Sequence, residues 1–132
     1  MFVSETKIRV RYAETDKMGY VYYGNYAQYY EVGRVEALRT LGISYKALED
    51  LGYMMPVVQM ITNYNKPALY DDELVIRTTI KEAPKVRIKF YYEVYNDKNV
   101  LINQGETTLV FVDKKTMKPC HCPQWFADLF ID

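Results

Sequence analysis

Histidine is almost missing from this chain, cysteine is scarce, and neither sign of charge is in excess. Each shortage removes a class of chemistry. The single histidine, His121, sits between the only two cysteines in Cys120-His121-Cys122. Cysteines so close in sequence do not form an ordinary disulfide, which agrees with a reducing compartment. Three adjacent candidate ligands with no second pair leave a tetrahedral site incomplete, so no metal site is expected. Lys and Arg total 17, as do Asp and Glu, so no net field draws the chain to nucleic acid or to an anionic surface. Nucleic acid is not an expected partner. There is no run of roughly 18 apolar residues, and the start, Met-Phe-Val-Ser-Glu-Thr-Lys, has no basic segment followed by an apolar one. The expectation is a cytoplasmic protein without membrane insertion. Neither G-x-x-x-x-G-K-S/T nor G-x-G-x-x-G occurs, so no phosphate cradle is present and no cofactor is expected.

What is plentiful is tyrosine, 14 residues in a chain of 132. Such rings suit strand surfaces, subunit contacts and the walls of a groove that holds an acyl or aromatic group. The length fits one domain spanning residues 1–132, burying roughly two-thirds of the surface its unfolded form exposes.

Residues 7 to 12 alternate, with Ile8, Val10 and Tyr12 on one side and Lys7, Arg9 and Arg11 on the other, which predicts a half-buried first strand. From Tyr26 the period changes. Tyr26, Tyr30, Gly33, Ala37 and Leu41 fall on one helical stripe, with Asn25 as N-cap and Gly42 as stop. Gly33 in mid-helix implies close approach to whatever the helix packs on. A short helix is expected over Ser44 to Leu51, then strands near 55–66, 73–82, 86–96 and 99–113, and a short amphipathic helix after Pro123. The links between strands are turn-forming, which favours antiparallel neighbours. The class is therefore α+β, an antiparallel sheet of about five strands with one long helix. Such a sheet covers one side of one helix only, so a second copy is expected, as a homodimer or homotetramer.

Just ahead of the long helix, Glu14-Thr15-Asp16-Lys17-Met18-Gly19-Tyr20-Val21-Tyr22-Tyr23-Gly24-Asn25-Tyr26 sets one acid, Asp16, before a helix start. A carboxylate can attack or activate water, and a helix start offers unpaired N–H groups to an oxyanion. Asp16 by itself reads as a turn-forming acid; the surrounding pattern argues for catalysis.

That pattern, with Arg9-Val10-Arg11-Tyr12, Glu31 and the late strand Leu109-Val110-Phe111-Val112-Asp113, resembles the hotdog-fold acyl-CoA thioesterases. It is similar to the 4-hydroxybenzoyl-CoA thioesterase family, including the Tol-Pal-associated acyl-CoA thioesterases. The resemblance runs from about residue 5 to residue 120. It implies a hotdog fold, with the sheet wrapped around the long central helix, and an acyl-CoA substrate. It also implies a catalytic Asp16, with the backbone amides of Tyr23 and Gly24 polarising the thioester carbonyl. Gly19, Tyr22, Asn25 and Tyr26 are the candidate substrate contacts. Beside that role, Asn25 reads as a helix cap, and Tyr22, Tyr26, Tyr29 and Tyr30 read as core or interface rings. Many members of the Tol-Pal-associated branch carry His where this chain has Tyr23. Tyr matches the aromatic-CoA branch instead.

Hydrolysis of a thioester needs a nucleophile at the acyl carbon and a stabilised oxyanion, while the thiolate leaves without much help from an acid. Direct attack by Asp16 and activation of water both remain open. Lys81, Lys85, Arg87 and Lys89 are candidates to meet the phosphates of CoA, and scattered surface charge accounts for them nearly as well. Two other readings compete. A hotdog hydratase would generally need a site His, and His121 is far from the segment. A non-catalytic acyl-CoA-binding protein would keep the groove, but retention of Asp16 with Gly19 and the helix start speaks against it.

Overall fold

The computed structural model describes residues 1–131. Its chain order is β1 (Phe2–Arg9), two single turns of 3₁₀ helix (Tyr12–Glu14 and Tyr23–Asn25), α1 (Tyr26–Thr40), α2 (Tyr45–Asp50) and β2 (Tyr53–Met54). There follow β3 (Val57–Tyr64), β4 (Glu73–Ile80), β5 (Arg87–Tyr95), β6 (Leu101–Val110), β7 (Val112–Asp113) and α3 (Gln124–Asp128). Five strands form one antiparallel sheet in the order β1-β4-β5-β6-β3, and β2 pairs with β7 in a small second sheet.

Helix α1 lies where the apolar stripe placed it, with Tyr26, Tyr30, Gly33 and Ala37 buried against the sheet. Gly33 shows why the position tolerates no side chain. A Cβ there would come within 2.6 Å of Thr78 Oγ1 and 2.9 Å of Ile76 Cγ2 on β4. The helix backbone packs directly on the side chains of Thr78 and Ile76, and the cost of a mid-helix glycine is offset by that approach. Ile88, Phe90, Tyr92 and Val94 of β5 face the same layer, as their alternation requires. Tyr30 stacks on Tyr92 with ring centroids 4.3 Å apart. The Tyr30 hydroxyl bonds to the side chains of Thr62 and Asn103, so the ring is buried with its polar tip satisfied. Ser44 caps α2 by accepting from the Ala47 N–H at 3.1 Å.

Two expectations are corrected. The first strand covers Phe2–Arg9 rather than 7 to 12, and Tyr12 is 77% exposed. Arg9 pairs with Glu73, the first residue of β4, and after Val10 Glu14 draws Arg11 into a tight turn through its N–H and Nε at 2.9 Å each. Backbone that closes that turn is lost to the ladder. Asn25 does not cap α1 with its side chain: it sits in helical conformation, and its Nδ2 donates to the Glu14 carbonyl at 2.7 Å.

The two sheet edges differ. β1 alternates in burial, whereas β3 is exposed along almost its whole length on both faces, with Val58 at 53% and Ile61 at 43%.

Candidate active site

The chain leaves β1, turns at Tyr12–Glu14, loops through Asp16 and Gly19, and returns as Tyr22 to start the helix. Short bonds hold the loop. The Asp16 N–H donates to the Tyr20 carbonyl at 2.8 Å, and the Gly19 N–H donates to the Asp16 carbonyl at 3.0 Å. Asp16 Oδ1 accepts from the N–H of Met18 at 2.9 Å and of Tyr20 at 3.2 Å. This is the Asx type of turn, in which a short acid mimics backbone. Gly19 closes it with φ +78°, and the space around it is open, so backbone conformation alone selects glycine. Among the described residues Asp16 Oδ2 takes no hydrogen bond. One oxygen of the half-buried carboxylate is anchored and the other is available.

On the return, the Tyr22 N–H donates to the Glu14 carbonyl at 2.9 Å and the Asn25 N–H to the Tyr22 carbonyl at 2.9 Å. Tyr23 and Gly24 are the first two residues of the turn Tyr23–Asn25, which runs directly into α1. Their N–H groups have no carbonyl of the same turn behind them, the ordinary condition of a helix start.

Asp16 and Tyr23 line one groove of about 330 Å³, together with Met18, Tyr26, Tyr64 and Lys66. That size is in the range of sites for small ligands, roughly 300–1,000 Å³. Its aromatic wall is built edge to face: Tyr23 against Tyr64 at 6.5 Å, and Tyr26 against Tyr64 at 5.5 Å. Burial, with the Tyr64 hydroxyl nearby, pushes the Tyr26 phenol up to about 12, so it stays protonated at neutral pH.

The candidate residues are thus dealt out unequally. Asp16, Tyr23 and Tyr26 share the groove, and Gly19 shapes the Asp16 turn. Tyr22 is exposed beside the Tyr23 ring, and Gly24 follows Tyr23 in the turn. The Asn25 side chain is engaged by Glu14. Among the basic residues, Lys89 pairs with Glu106 at 3.7 Å and Lys81 lies 4.0 Å over the Tyr91 ring. Among the described residues no three His, Cys, Asp or Glu converge as metal ligands.

Two residues of the site escaped the sequence. Tyr64, at the end of β3, donates its hydroxyl to the Tyr23 carbonyl at 3.2 Å. No local pattern links positions 41 apart. Glu14 is buried directly behind the loop, and its spacing of three from Arg11 was the one available signal.

Residues 10–130 match the family described as the thioesterase-like superfamily. The chain is 37% identical to the protein YneP of Bacillus subtilis, over 97% of this chain and 93% of that one. It is 36% identical to the acyl-CoA thioester hydrolase YbgC of Escherichia coli, over 89% of this chain and 87% of that one. Among solved structures, the DHNA-CoA thioesterase from Staphylococcus aureus superposes with a TM-score of 0.91 at 37% identity, covering 98% of this chain and 87% of that one. The architecture is accordingly the hotdog fold expected from the residue pattern.

Proposed function

Because this chain belongs to the thioesterase-like superfamily and is a thioester hydrolase, we propose that Asp16 is the acting carboxylate and that the Tyr23 and Gly24 amides form the oxyanion hole. The reaction converts an acyl-CoA ester to a carboxylic acid and free CoA. The observation that carries the reading is the shared groove, in which an acid with one unengaged oxygen faces the same space as the residue that starts the helix.

In this reading the thioester carbonyl lies between the two. Attack at the acyl carbon, by Asp16 or by water that Asp16 deprotonates, moves charge onto the carbonyl oxygen. The amides stabilise that charge, and one preorganised donor of this kind lowers the barrier by about 2.7–4 kcal/mol. The tetrahedral intermediate then expels the thiolate, leaving the free acid where water attacked, or a mixed anhydride on Asp16 that a water molecule hydrolyses to the acid and the regenerated carboxylate where Asp16 attacked. Tyr23, Tyr26 and Tyr64 would flank the acyl group, and their ring edges suit a flat aromatic acid as well as a short chain.

We also propose that the working form is at least a dimer. An edge strand with Val57, Val58 and Ile61 exposed invites pairing unless a second copy covers it, and Tyr64 ends that same strand.

The test is release of free thiol from a panel of aromatic and short aliphatic acyl-CoA esters. Asp16→Asn is expected to lower kcat on the order of 10²–10⁴-fold. Undiminished turnover in that variant would remove Asp16 from the mechanism.

A further inference from the structure

Two residues before Asp16 the chain buries a second carboxylate, which the chemistry above does not use. Glu14 is 8% exposed. Its Oε1 accepts from the Arg11 N–H at 2.9 Å and from the Tyr29 O–H at 2.8 Å, and its Oε2 accepts from Arg11 Nε at 2.9 Å. Its backbone carbonyl accepts from the Tyr22 N–H at 2.9 Å and from Asn25 Nδ2 at 2.7 Å.

Those partners are not scattered. Arg11 belongs to the exit from β1, Tyr29 to the body of α1, and Tyr22 and Asn25 flank Tyr23 and Gly24. Among the described residues, the hydrogen bonds between residues 11–16 and residues 22–25 both fall on the Glu14 carbonyl. The carboxylate, fixed by three donors, sets the orientation of the residue whose carbonyl makes that join. A buried acid is costly to keep without such donors, and bonds to a charged group are short and directional. Burial pushes the Glu14 carboxyl up, but the Arg11 amide, the Tyr29 hydroxyl and the Arg11 guanidinium outweigh it and hold it below the ordinary carboxylate range.

We infer that Glu14 is a positioning residue for hydrolysis: it holds the Asp16 loop at its working separation from the Tyr23 and Gly24 amides. This rests on the thioesterase reading above. Glu14 itself touches no substrate.

Glu14→Gln tests it. Glutamine keeps the shape but sets an NH₂ against a wall of donors, so the loop shifts while the groove survives. The expected result is a fall in kcat of about tenfold to a hundredfold, the scale of an ångström of misplacement. KM for the acyl-CoA ester stays within about twofold. Tyr29→Phe removes one donor of three and lowers kcat about threefold. Phe126→Leu, in the core at α3, serves as a control matched for lost Tm and keeps its kcat.

The inference is overturned if Glu14→Gln keeps wild-type kcat while Asp16→Asn is inactive. It is also overturned if Glu14→Gln and Phe126→Leu lose kcat alike. Should Glu14→Gln not fold, an unchanged kcat in Tyr29→Phe overturns it. A wild-type chain that hydrolyses no ester, or an Asp16→Asn variant that hydrolyses normally, fails the thioesterase reading itself, and the inference falls with it.

Discussion

The two walls of the groove differ in how much of their structure they hold by themselves. Residues 11–25 form a wall tied inward at nearly every step: two backbone bonds close the Asp16 turn, two amides grip its carboxylate, and Glu14 gathers the rest. Across from it, Tyr64 stands at the end of an edge strand whose apolar side chains face solvent on both sides, and it meets the first wall through an edge-to-face contact with the Tyr23 ring and a hydroxyl bond to the Tyr23 carbonyl at 3.2 Å. The first wall is held by hydrogen bonds within one chain. The second is built as a surface to be covered. Under the proposed mechanism, a second subunit would chiefly shape the space that receives the acyl group, since Asp16 and the Tyr23 and Gly24 amides lie on one chain.

The sharpest way to break this contrast is to put a charge on the open wall. Ile61→Lys places an ammonium in the middle of the exposed strand, and burying it under a second copy is costly. We expect the dimer dissociation constant to rise at least tenfold, about 1.4 kcal/mol, measured by sedimentation, with the secondary structure unchanged. A chain already monomeric before the substitution would end the contrast at once.

On the closed wall the expected effect is smaller and falls on stability. Gly19→Ala meets no steric obstacle, so it reports only the φ of +78°. A loss of about 1 kcal/mol, read by denaturant unfolding, is expected. The smallest effect belongs to the hydroxyl bond between the walls. Tyr64→Phe deletes an exposed hydroxyl bond to the Tyr23 carbonyl and should lower kcat/KM only about twofold to fivefold. A larger loss would mean that the open wall takes part in positioning the helix start.

Which parts were legible in the sequence follows from the range of the interactions. The α1 stripe and the alternation of Ile88, Phe90, Tyr92 and Val94 are written at short period, so both could be read directly. Gly33 was legible for the same reason, since a glycine in mid-helix has few explanations. The end of β1 was not. Whether Tyr12 continues a strand depends on where β4 begins and on the Glu14 side chain, and neither shows in the alternation of residues 7 to 12. Asn25 looked like a cap because its type and place were right, yet a carbonyl 11 residues earlier held its amide instead. Asp16 and Tyr23 could be singled out by their pattern, but the meeting of Tyr64 with Tyr23 arises only once the sheet is assembled.

The strand order also bears on how the molecule folds. β4, β5 and β6 are consecutive in the chain and adjacent in the sheet, so they can form as a local meander, whereas β1 must find β4 and β3 must find β6 across long stretches of intervening chain. Closing such loops is entropically slow, and contacts of this kind set the pace of folding. Both walls of the groove hang from those late-joining edges, one on the exit of β1 and the other on the end of β3. The groove is therefore assembled on the two strand pairings that span the longest stretches of sequence in the sheet, so its geometry depends on long-range pairing more than that of the local meander does.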